Sequence, residues 1–189
     1  MSTPRSTVCS VALSLSLLSA LPAFAQRVKL ATSAGDIVIE LDAAKAPKSV
    51  ENFIGYVKAG HYDGTVFHRV ISNFMIQGGG MTADMKERPT RAPIALESRN
   101  GLNNDKGTVA MARTNAPNSA TAQFFINLKD NEFLNSAASR DGNGYAVFGK
   151  VVSGMDVVEK IRNAATGNKG PFENVPLEPV TIKQATVEK

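Results

Sequence analysis

The residues of this sequence best suited to chemistry lie together in the stretch 66–80. Within it, Arg69, His68 and Gln77 stand among bulky apolar residues, and two apolar segments flank a turn-type Ser-Asn pair at 72–73. This pattern predicts a β-hairpin whose polar side chains meet over one surface. A guanidinium above an apolar floor suits a ligand with a polar backbone and an apolar side chain, such as a peptide. The alternative is a hairpin whose arginine is merely solvated.

The hairpin also predicts which side chains share a face. Because side chains alternate along a strand, Phe67 and Arg69 are expected on one face. His68 and Val70 are then expected on the other. Strand pairing would bring Gln77 to Arg69, where the glutamine carbonyl oxygen can accept a hydrogen bond from the guanidinium. Such a bond would fix the arginine rotamer, which is the preorganisation that a charged donor needs in a site.

The sequence has few residues suited to metal binding or to nucleophilic catalysis. The histidines are His61 and His68, and with a single cysteine they are too few for a zinc site, so no metal or cofactor is expected. A serine hydrolase needs a nucleophile on a strained turn, and no G-x-S-x-G pattern occurs. His68 could serve as a base, although a structural role is favoured. Glycines 78–80 lack the G-x-x-x-x-G-K pattern of a phosphate-binding loop, so a tight turn is predicted there.

Length, composition and charge are typical of one packed globular domain. The chain has 189 residues, of which 43% are hydrophobic, and a formal net charge of +4. The positive residues are scattered, with no block of like charges. No nucleic-acid partner is therefore expected.

Residues 1–25 have the pattern of a cleavable signal peptide. A positively charged start precedes an apolar run over 8–21, and Ala-x-Ala at 23–25 fits a signal-peptidase site. The run is shorter than the roughly 20 apolar residues of a membrane span, although an uncleaved anchor is the alternative. Cys9, the one cysteine, lies inside this leader. The mature chain, 26–189, is predicted to be a single domain without a disulfide or a catalytic thiol.

Apolar periodicity predicts about eight strands and two helices in the mature chain. The strands show period-two alternation, and the helices carry one apolar stripe. Besides the hairpin in 66–80, the predicted strands are 27–32, 36–41, 94–97, 108–112, 123–128, 145–152 and 180–187. The predicted helices are 47–59 and 155–163, and 163–179 is predicted to be a long loop.

The order of these elements predicts a mainly β fold. Most strands are separated by turns, which argues against a doubly wound parallel sheet, and two helices are too few for a TIM barrel. A closed eight-stranded antiparallel β-barrel capped by two α-helices would hide every strand edge and both apolar helix stripes. We therefore expect that architecture.

Several separated motifs resemble those of one known family. They are Phe67-His68-Arg69-Val70-Ile71, Phe74-Met75-Ile76-Gln77-Gly78-Gly79, Met111-Ala112, Gln123-Phe124-Phe125-Ile126 and Val147-Phe148-Gly149-Lys150-Val151. In this order they resemble the cyclophilins, the cyclosporin-type peptidyl-prolyl cis-trans isomerases, over about residues 27–187. With its leader, the sequence is most similar to the exported, periplasmic-type bacterial cyclophilins. The resemblance implies the same closed barrel with two capping helices.

The resemblance also implies a catalytic pair and a substrate groove. Arg69 matches the catalytic arginine, and Gln77 matches the glutamine that orients it. The residues that match the pocket for the proline ring are Phe74, Met75, Phe125 and Leu134. The residues that match the adjoining peptide groove are Ala112 and Gln123.

Three positions depart from the pattern of the eukaryotic members. Phe133 stands in place of a tryptophan, and Tyr145 stands in place of a groove histidine. The segment 113–117 is one residue longer, so the backbone groups that hold substrate there are not assigned. The missing indole is expected to weaken the binding of cyclosporin-type ligands more than catalysis.

The implied reaction breaks no bond and needs neither nucleophile nor cofactor. Rotation about an X–Pro bond is slow because amide resonance opposes it. Arg69 is expected to donate to the proline nitrogen, or to the neighbouring carbonyl, more strongly in the twisted state than in the planar states. One alternative is a peptide-binding chaperone module with little catalysis. Another is a small hydrolase using His68, for which no nucleophile is found.

The expected partners follow from this activity and from the leader. They are proline-containing peptides and unfolded or partly folded exported proteins, in the periplasm. No stable membrane insertion is expected after cleavage, and we expect a monomer.

Overall fold

The computed structural model describes residues 26–188, so the predicted signal peptide lies outside the described residues. The fold is mainly β with two α-helices, as predicted. Within the described part of the chain, no helix is long and apolar enough to cross a membrane.

Eight strands form one antiparallel sheet, and two more form a separate hairpin. In chain order the strands are β1 (Arg27–Thr32), β2 (Asp36–Leu41), β3 (Thr65–Ile71), β4 (Met75–Thr82), β5 (Thr108–Met111), β6 (Phe124–Asn127), β7 (Val147–Ser153), β8 (Thr166–Lys169), β9 (Phe172–Pro176) and β10 (Ile182–Glu188). The order across the large sheet is β10-β1-β2-β7-β5-β6-β4-β3. The hairpin pairs β8 with β9.

The predicted closed barrel is wrong, because the large sheet is open and strongly curled. Its outer strands, β3 and β10, are not joined by a ladder, and one isolated bridge links Val66 of β3 to Thr181, directly before β10. Next to this bridge the backbone N–H of Phe67 donates to the carbonyl of Val180. Pro179 has no N–H to extend the pairing, and the register of β3 shifts between Val66 and Phe67. A continuous ladder therefore cannot form across this gap.

The main core fills the inside of the curled sheet. The predicted alternation of β1 and β2 places their apolar side chains there, and the fully buried ones are Val28, Leu30, Ile37 and Ile39. Helix α1 (Pro47–Lys58) contacts β7 and β10, and helix α2 (Met155–Arg162) contacts β2, β3 and β4. Phe53 of α1 packs against Phe124 and Phe148, with ring centroids 5.4 and 5.0 Å apart.

Strand β6 buries both of its faces, as its run of apolar residues predicts. Phe124 and Ile126 belong to the main core. Phe125 points the other way and packs in a second, smaller cluster with Met75 and Leu134. This second cluster lies under the candidate site.

One predicted loop and one predicted strand differ from the structure. The segment 163–179 contains the β8–β9 hairpin, which its glycine-rich and polar sequence did not reveal. The strand predicted at 94–97 is reduced to a single bridge between Ile94 and Ala120.

Candidate active site

Arg69 and Gln77 face each other across the β3–β4 pair, as the sequence predicts. They are direct partners in the register, and Nη1 of Arg69 donates to Oε1 of Gln77 at 3.4 Å. Gln77 is itself held, because its Nε2 donates to Oε1 of Gln123 at 2.8 Å. The orientation of the guanidinium therefore depends on two amide side chains in series.

A β-bulge at His68 sets the direction of Arg69. Phe67 pairs with Gly78 and Arg69 pairs with Gln77, so His68 is an extra residue on β3. Phe67 and Val70 consequently both join the main core. The prediction that Phe67 and Arg69 share a face is wrong, because the bulge shifts the alternation by one residue.

His68 is buried beside the guanidinium, with 6% of the residue exposed. Among residues 26–188, its Nδ1 has no hydrogen-bond partner. Burial, together with the charge of Arg69, lowers the pKa of the imidazole from 6.5 to about 4. His68 is therefore neutral at physiological pH, and its position in the interior agrees with the predicted structural role.

The three glycines lie inside β4 and not in the predicted tight turn. A Cβ at Gly78 would press on the ring of Phe67, and one at Gly80 would overlap the side chain of Gln123. Gly79 has φ +85°, which favours glycine. Glycine is therefore required by close side-chain approach and by one left-handed backbone position.

An apolar pocket adjoins the Arg69–Gln77 pair. It is part of a cavity of about 630 Å³. We define the apolar pocket by its five apolar side chains, which are Phe74, Met75, Phe125, Phe133 and Leu134. Phe125 and Leu134 are buried, whereas Phe133 is 52% exposed at the rim and packs on Phe74 with ring centroids 5.5 Å apart. The cavity thus offers an apolar floor with a cationic donor at its edge.

Arg113 forms the opposite wall of the cavity and was not singled out from the sequence. Its side chain is 3% exposed, and its guanidinium lies 4.6 Å from the ring centroid of Tyr145. It donates to the carboxylate of Asp141 at 2.5 Å and to the carbonyl of Gly144 at 2.8 Å. These contacts join the loop after β5 to the loop before β7.

Asp141 is fixed as an anion in this wall. Hydrogen bonds from the backbone N–H of Asn143, from Arg113 and from the N–H of Gly144 hold the pKa of its carboxyl well below the usual range. The charge of Arg113 is therefore paired at all ordinary pH values.

The structure brings the predicted site residues together. Nine of them line the cavity, namely Arg69, Phe74, Met75, Gln77, Ala112, Phe125, Phe133, Leu134 and Tyr145. Gln123 contacts the site through Gln77. The lining residues that the sequence did not indicate are Arg113, Asn115, Ser139, Arg140 and Asp141. They come from two polar loops, and the one available signal was the unusual length of 113–117.

Comparison with known proteins identifies the family. The family model described as "Cyclophilin type peptidyl-prolyl cis-trans isomerase/CLD" matches residues 27–187. The chain belongs to the cyclophilin family. The match spans β1 to β10 and includes every residue assigned to the cavity, so the resemblance predicted from the motifs is confirmed.

Bacterial cyclophilins are similar along nearly their whole length. A peptidyl-prolyl cis-trans isomerase of Streptomyces antibioticus is 60% identical over 161 residues, covering 85% of this chain and 97% of that protein. Peptidyl-prolyl cis-trans isomerase A of Dickeya dadantii is 53% identical over 179 residues, covering 93% of each chain. Peptidyl-prolyl cis-trans isomerase B of Escherichia coli is 55% identical over 159 residues, covering 84% of this chain and 97% of that protein.

Solved cyclophilin structures share the fold. A crystal structure of a Cryptosporidium parvum cyclophilin matches with a TM-score of 0.72 and 26% identity, covering 88% of this chain and 99% of that chain. A second crystal structure of that protein, in the presence of the dipeptide Ala-Pro, matches with a TM-score of 0.71 and 27% identity. Within residues 26–188 of the present cyclophilin, no group of three or more His, Cys, Asp or Glu side chains could hold a metal ion.

Proposed function

We propose that this cyclophilin is a peptidyl-prolyl cis-trans isomerase that acts on X–Pro bonds in extended or partly folded protein segments. The observation that carries the proposal is a guanidinium, held by two amides in series, at the edge of an apolar pocket. The apolar pocket would receive the proline ring, and Arg69 would act on the imide beside it. The bacterial relatives that are 53–60% identical are named as enzymes of this type.

The site has the parts that this reaction requires. Amide resonance imposes a barrier of roughly 18–20 kcal/mol on rotation about a peptide bond. As the bond twists, the proline nitrogen loses resonance and gains a lone pair, which can accept a hydrogen bond from Arg69. Only an interaction that is stronger in the twisted state than in the planar states accelerates the rotation. The Arg69 guanidinium supplies such a donor at a fixed place.

Arg69 alone does not account for the expected acceleration. A roughly 10⁵-fold acceleration corresponds to about 7 kcal/mol, whereas one hydrogen bond to a charged group contributes about 1.5–3 kcal/mol. The remainder would come from holding the proline ring in the apolar pocket while the acyl side rotates. Exclusion of water by Phe133 and Leu134 would strengthen the hydrogen bond from Arg69 further.

Residues 1–25 support action outside the cytoplasm. A charged start, an apolar run and the Ala-x-Ala pattern fit a cleavable leader. The proposed clients are therefore exported proteins folding in the periplasm, where a slow X–Pro isomerisation can limit folding. Recovery of the protein from a periplasmic extract, beginning at Gln26, would support this location. A protein found in the cytoplasm with Met1 intact would contradict it.

The second candidate function is a peptide-binding chaperone with little catalysis, because the same cavity could hold a peptide without twisting it. Two-dimensional exchange NMR on an Ala-Ala-Pro-Phe peptide distinguishes the two functions. An isomerase will produce cis–trans exchange peaks at substoichiometric protein concentration, within mixing times of a second. Binding without added exchange would overturn the proposed catalysis and favour the chaperone. Peptide fragments in the same sample would instead indicate a hydrolase.

A further inference from the structure

Behind the apolar pocket lies a network of four asparagine side chains, Asn104, Asn127, Asn131 and Asn135, which we call the asparagine network. Three of its members, Asn104, Asn127 and Asn131, are completely buried at 0% exposure. Burying a primary amide costs free energy unless its donors and acceptors are paired. So many buried amides in one place therefore need a structural explanation.

The four side chains are hydrogen-bonded in series. Nδ2 of Asn131 donates to Oδ1 of Asn127 at 2.8 Å. Nδ2 of Asn127 donates to Oδ1 of Asn104 at 3.2 Å. Nδ2 of Asn104 donates to Oδ1 of Asn135 at 3.1 Å. A displacement of one amide is therefore transmitted to the next.

The asparagine network is attached to the walls of the cavity. Nδ2 of Asn131 also donates to the backbone carbonyl of Phe74 at 3.0 Å. Nδ2 of Asn104 also donates to the carbonyl of Tyr145 at 3.3 Å. Asn135 directly follows Leu134 in the chain. The asparagine network thus bonds the backbone of two wall residues directly and ends next to a third.

Strand pairing within the sheet does not fix the positions of these three wall residues. Phe74 lies in the turn between β3 and β4, and Leu134 lies in a 3₁₀ helix, Glu132–Leu134. Tyr145 precedes the start of β7. Strand pairing fixes the distance between neighbouring strands, but these three segments lie outside the strands. Backbone hydrogen bonds fix part of this arrangement, because the N–H of Tyr145 donates to the carbonyl of Leu134 at 2.9 Å and the N–H of Leu128 donates to the carbonyl of Phe74 at 3.0 Å. The asparagine side chains add the direct bond between the Phe74 turn and the segment that leads to Leu134.

We propose that Asn104, Asn127 and Asn131 are positioning residues for substrate binding, which hold the walls of the apolar pocket at the width of a proline ring. This inference rests on the proposed function and adds to it the residues that determine the fit of the substrate. They act through Phe74, Leu134 and Tyr145 and do not touch the peptide.

The consequence is a separation of binding from rotation. Arg69 and Gln77 are held by the β3–β4 ladder and by Gln123, none of which belongs to the asparagine network. Loss of an asparagine should widen or loosen the apolar pocket and weaken peptide binding. The rotation rate of a bound peptide should change little, because the guanidinium keeps its place.

The test compares Asn131→Ala with Ser49→Ala. Asn131→Ala removes the bonds to Phe74 and Asn127. Ser49 is a buried residue of α1, away from the cavity, and Ser49→Ala removes the hydrogen bond from its Oγ to Glu97 at 2.7 Å. Binding of the dipeptide Ala-Pro is measured by NMR titration, KM and kcat by exchange on Ala-Ala-Pro-Phe, and stability by urea unfolding.

We expect Asn131→Ala to raise the Kd for Ala-Pro and the KM roughly tenfold, with kcat within about twofold of the unmodified protein. Ser49→Ala should lose stability but keep both constants. An unchanged Kd in folded Asn131→Ala, or an equal rise in Ser49→Ala, would overturn the inference. If Asn131→Ala does not fold, Asn135→Ala decides by the same criteria, since it removes a less buried member of the network.

The results distinguish a failure of this inference from a failure of the proposed function. If the unmodified protein neither binds Ala-Pro nor speeds exchange, the proposed function itself fails. If the unmodified protein is active and the asparagine variants match it in Kd and KM, only the positioning role fails.

Discussion

At the scale of single residues, the site is a short series of hydrogen bonds beside an apolar pocket. The contact between Arg69 and Gln77 was predictable, because the two residues lie eight apart on either side of a recognisable turn. The ion pair between Arg113 and Asp141 was not, because its partners lie 28 residues apart in two loops without periodicity. A contact within one hairpin can be predicted from the sequence pattern. A contact between two loops depends on where the strands that carry those loops lie in the fold.

Phe133 should control the affinity for cyclosporin-type ligands. It lies exposed at the rim on Phe74, where an indole would add area and an N–H donor. Phe133→Trp should therefore tighten cyclosporin binding several-fold, a change of about 1 kcal/mol. Isothermal titration calorimetry of the variant and the unmodified protein measures this. Unchanged affinity would show that the rim position does not limit cyclosporin binding.

At the scale of secondary structure elements, the bulge on β3 and the glycines of β4 place the reactive side chains. Period-two alternation predicted β1 and β2 well, and the apolar stripe predicted both helices, because these elements are regular. The same rule failed on β3, since the extra residue at His68 leaves no mark in the amino-acid pattern. The β8–β9 hairpin was missed for a similar reason, because its polar residues do not alternate.

Gly80 provides the space in which Gln123 supports Gln77. Gly80→Ala should push the Gln123 side chain aside and break its hydrogen bond to Gln77, since a Cβ there would overlap the glutamine. The backbone should be preserved, because Gly80 is not at positive φ. We expect kcat/KM for a prolyl peptide to fall roughly fivefold, the effect of losing about 1 kcal/mol.

Gly55→Ala is the matched control for that variant. Gly55 lies on α1, away from the cavity, and a Cβ there would meet the flexible end of the Arg91 side chain. Its kcat/KM should match that of the unmodified protein. Equal activity of Gly80→Ala and Gly55→Ala in the exchange assay would contradict a positioning role for Gln123.

At the scale of the whole molecule, two faces of one curled sheet serve two purposes. The inner face holds the main core, and the outer face of β4 and β6 carries Met75, Gln77 and Phe125 beneath the cavity. The mainly β composition and the two helices were predictable from the sequence. The open edge between β3 and β10 was not, because closure depends on whether two distant strands meet over a sufficient length.

Stability should fall in mild acid because of His68. The pKa of its imidazole is about 4 in the folded protein, against the ordinary value of 6.5 that we take for the unfolded chain. Between pH 4 and 6.5 the imidazole is therefore protonated in the unfolded chain and neutral in the folded protein. The contribution of His68 to the free energy of unfolding is fully present above about pH 6.5 and is lost as the pH falls through 4. It amounts to about 3 kcal/mol.

Urea unfolding at a series of pH values tests this dependence. His68→Leu should remove most of the slope of the unfolding free energy between pH 6.5 and 4. His61→Gln is the control, because His61 is less buried and its pKa is lowered mainly by partial burial. The same acid slope in His68→Leu and in the unmodified protein would contradict the assignment to His68.

The most direct test of the catalytic role of Arg69 is the exchange rate of a prolyl peptide with Arg69→Ala and Arg69→Lys, with circular dichroism as the control for folding. Both variants should keep the fold, because Arg69 lies on the outer face of β3 and not in the main core. Arg69→Ala should lose most activity, and Arg69→Lys should also be poor, because an ammonium lacks the planar fork of the guanidinium. Near-normal exchange by folded Arg69→Ala would contradict a mechanism in which this arginine stabilises the twisted imide.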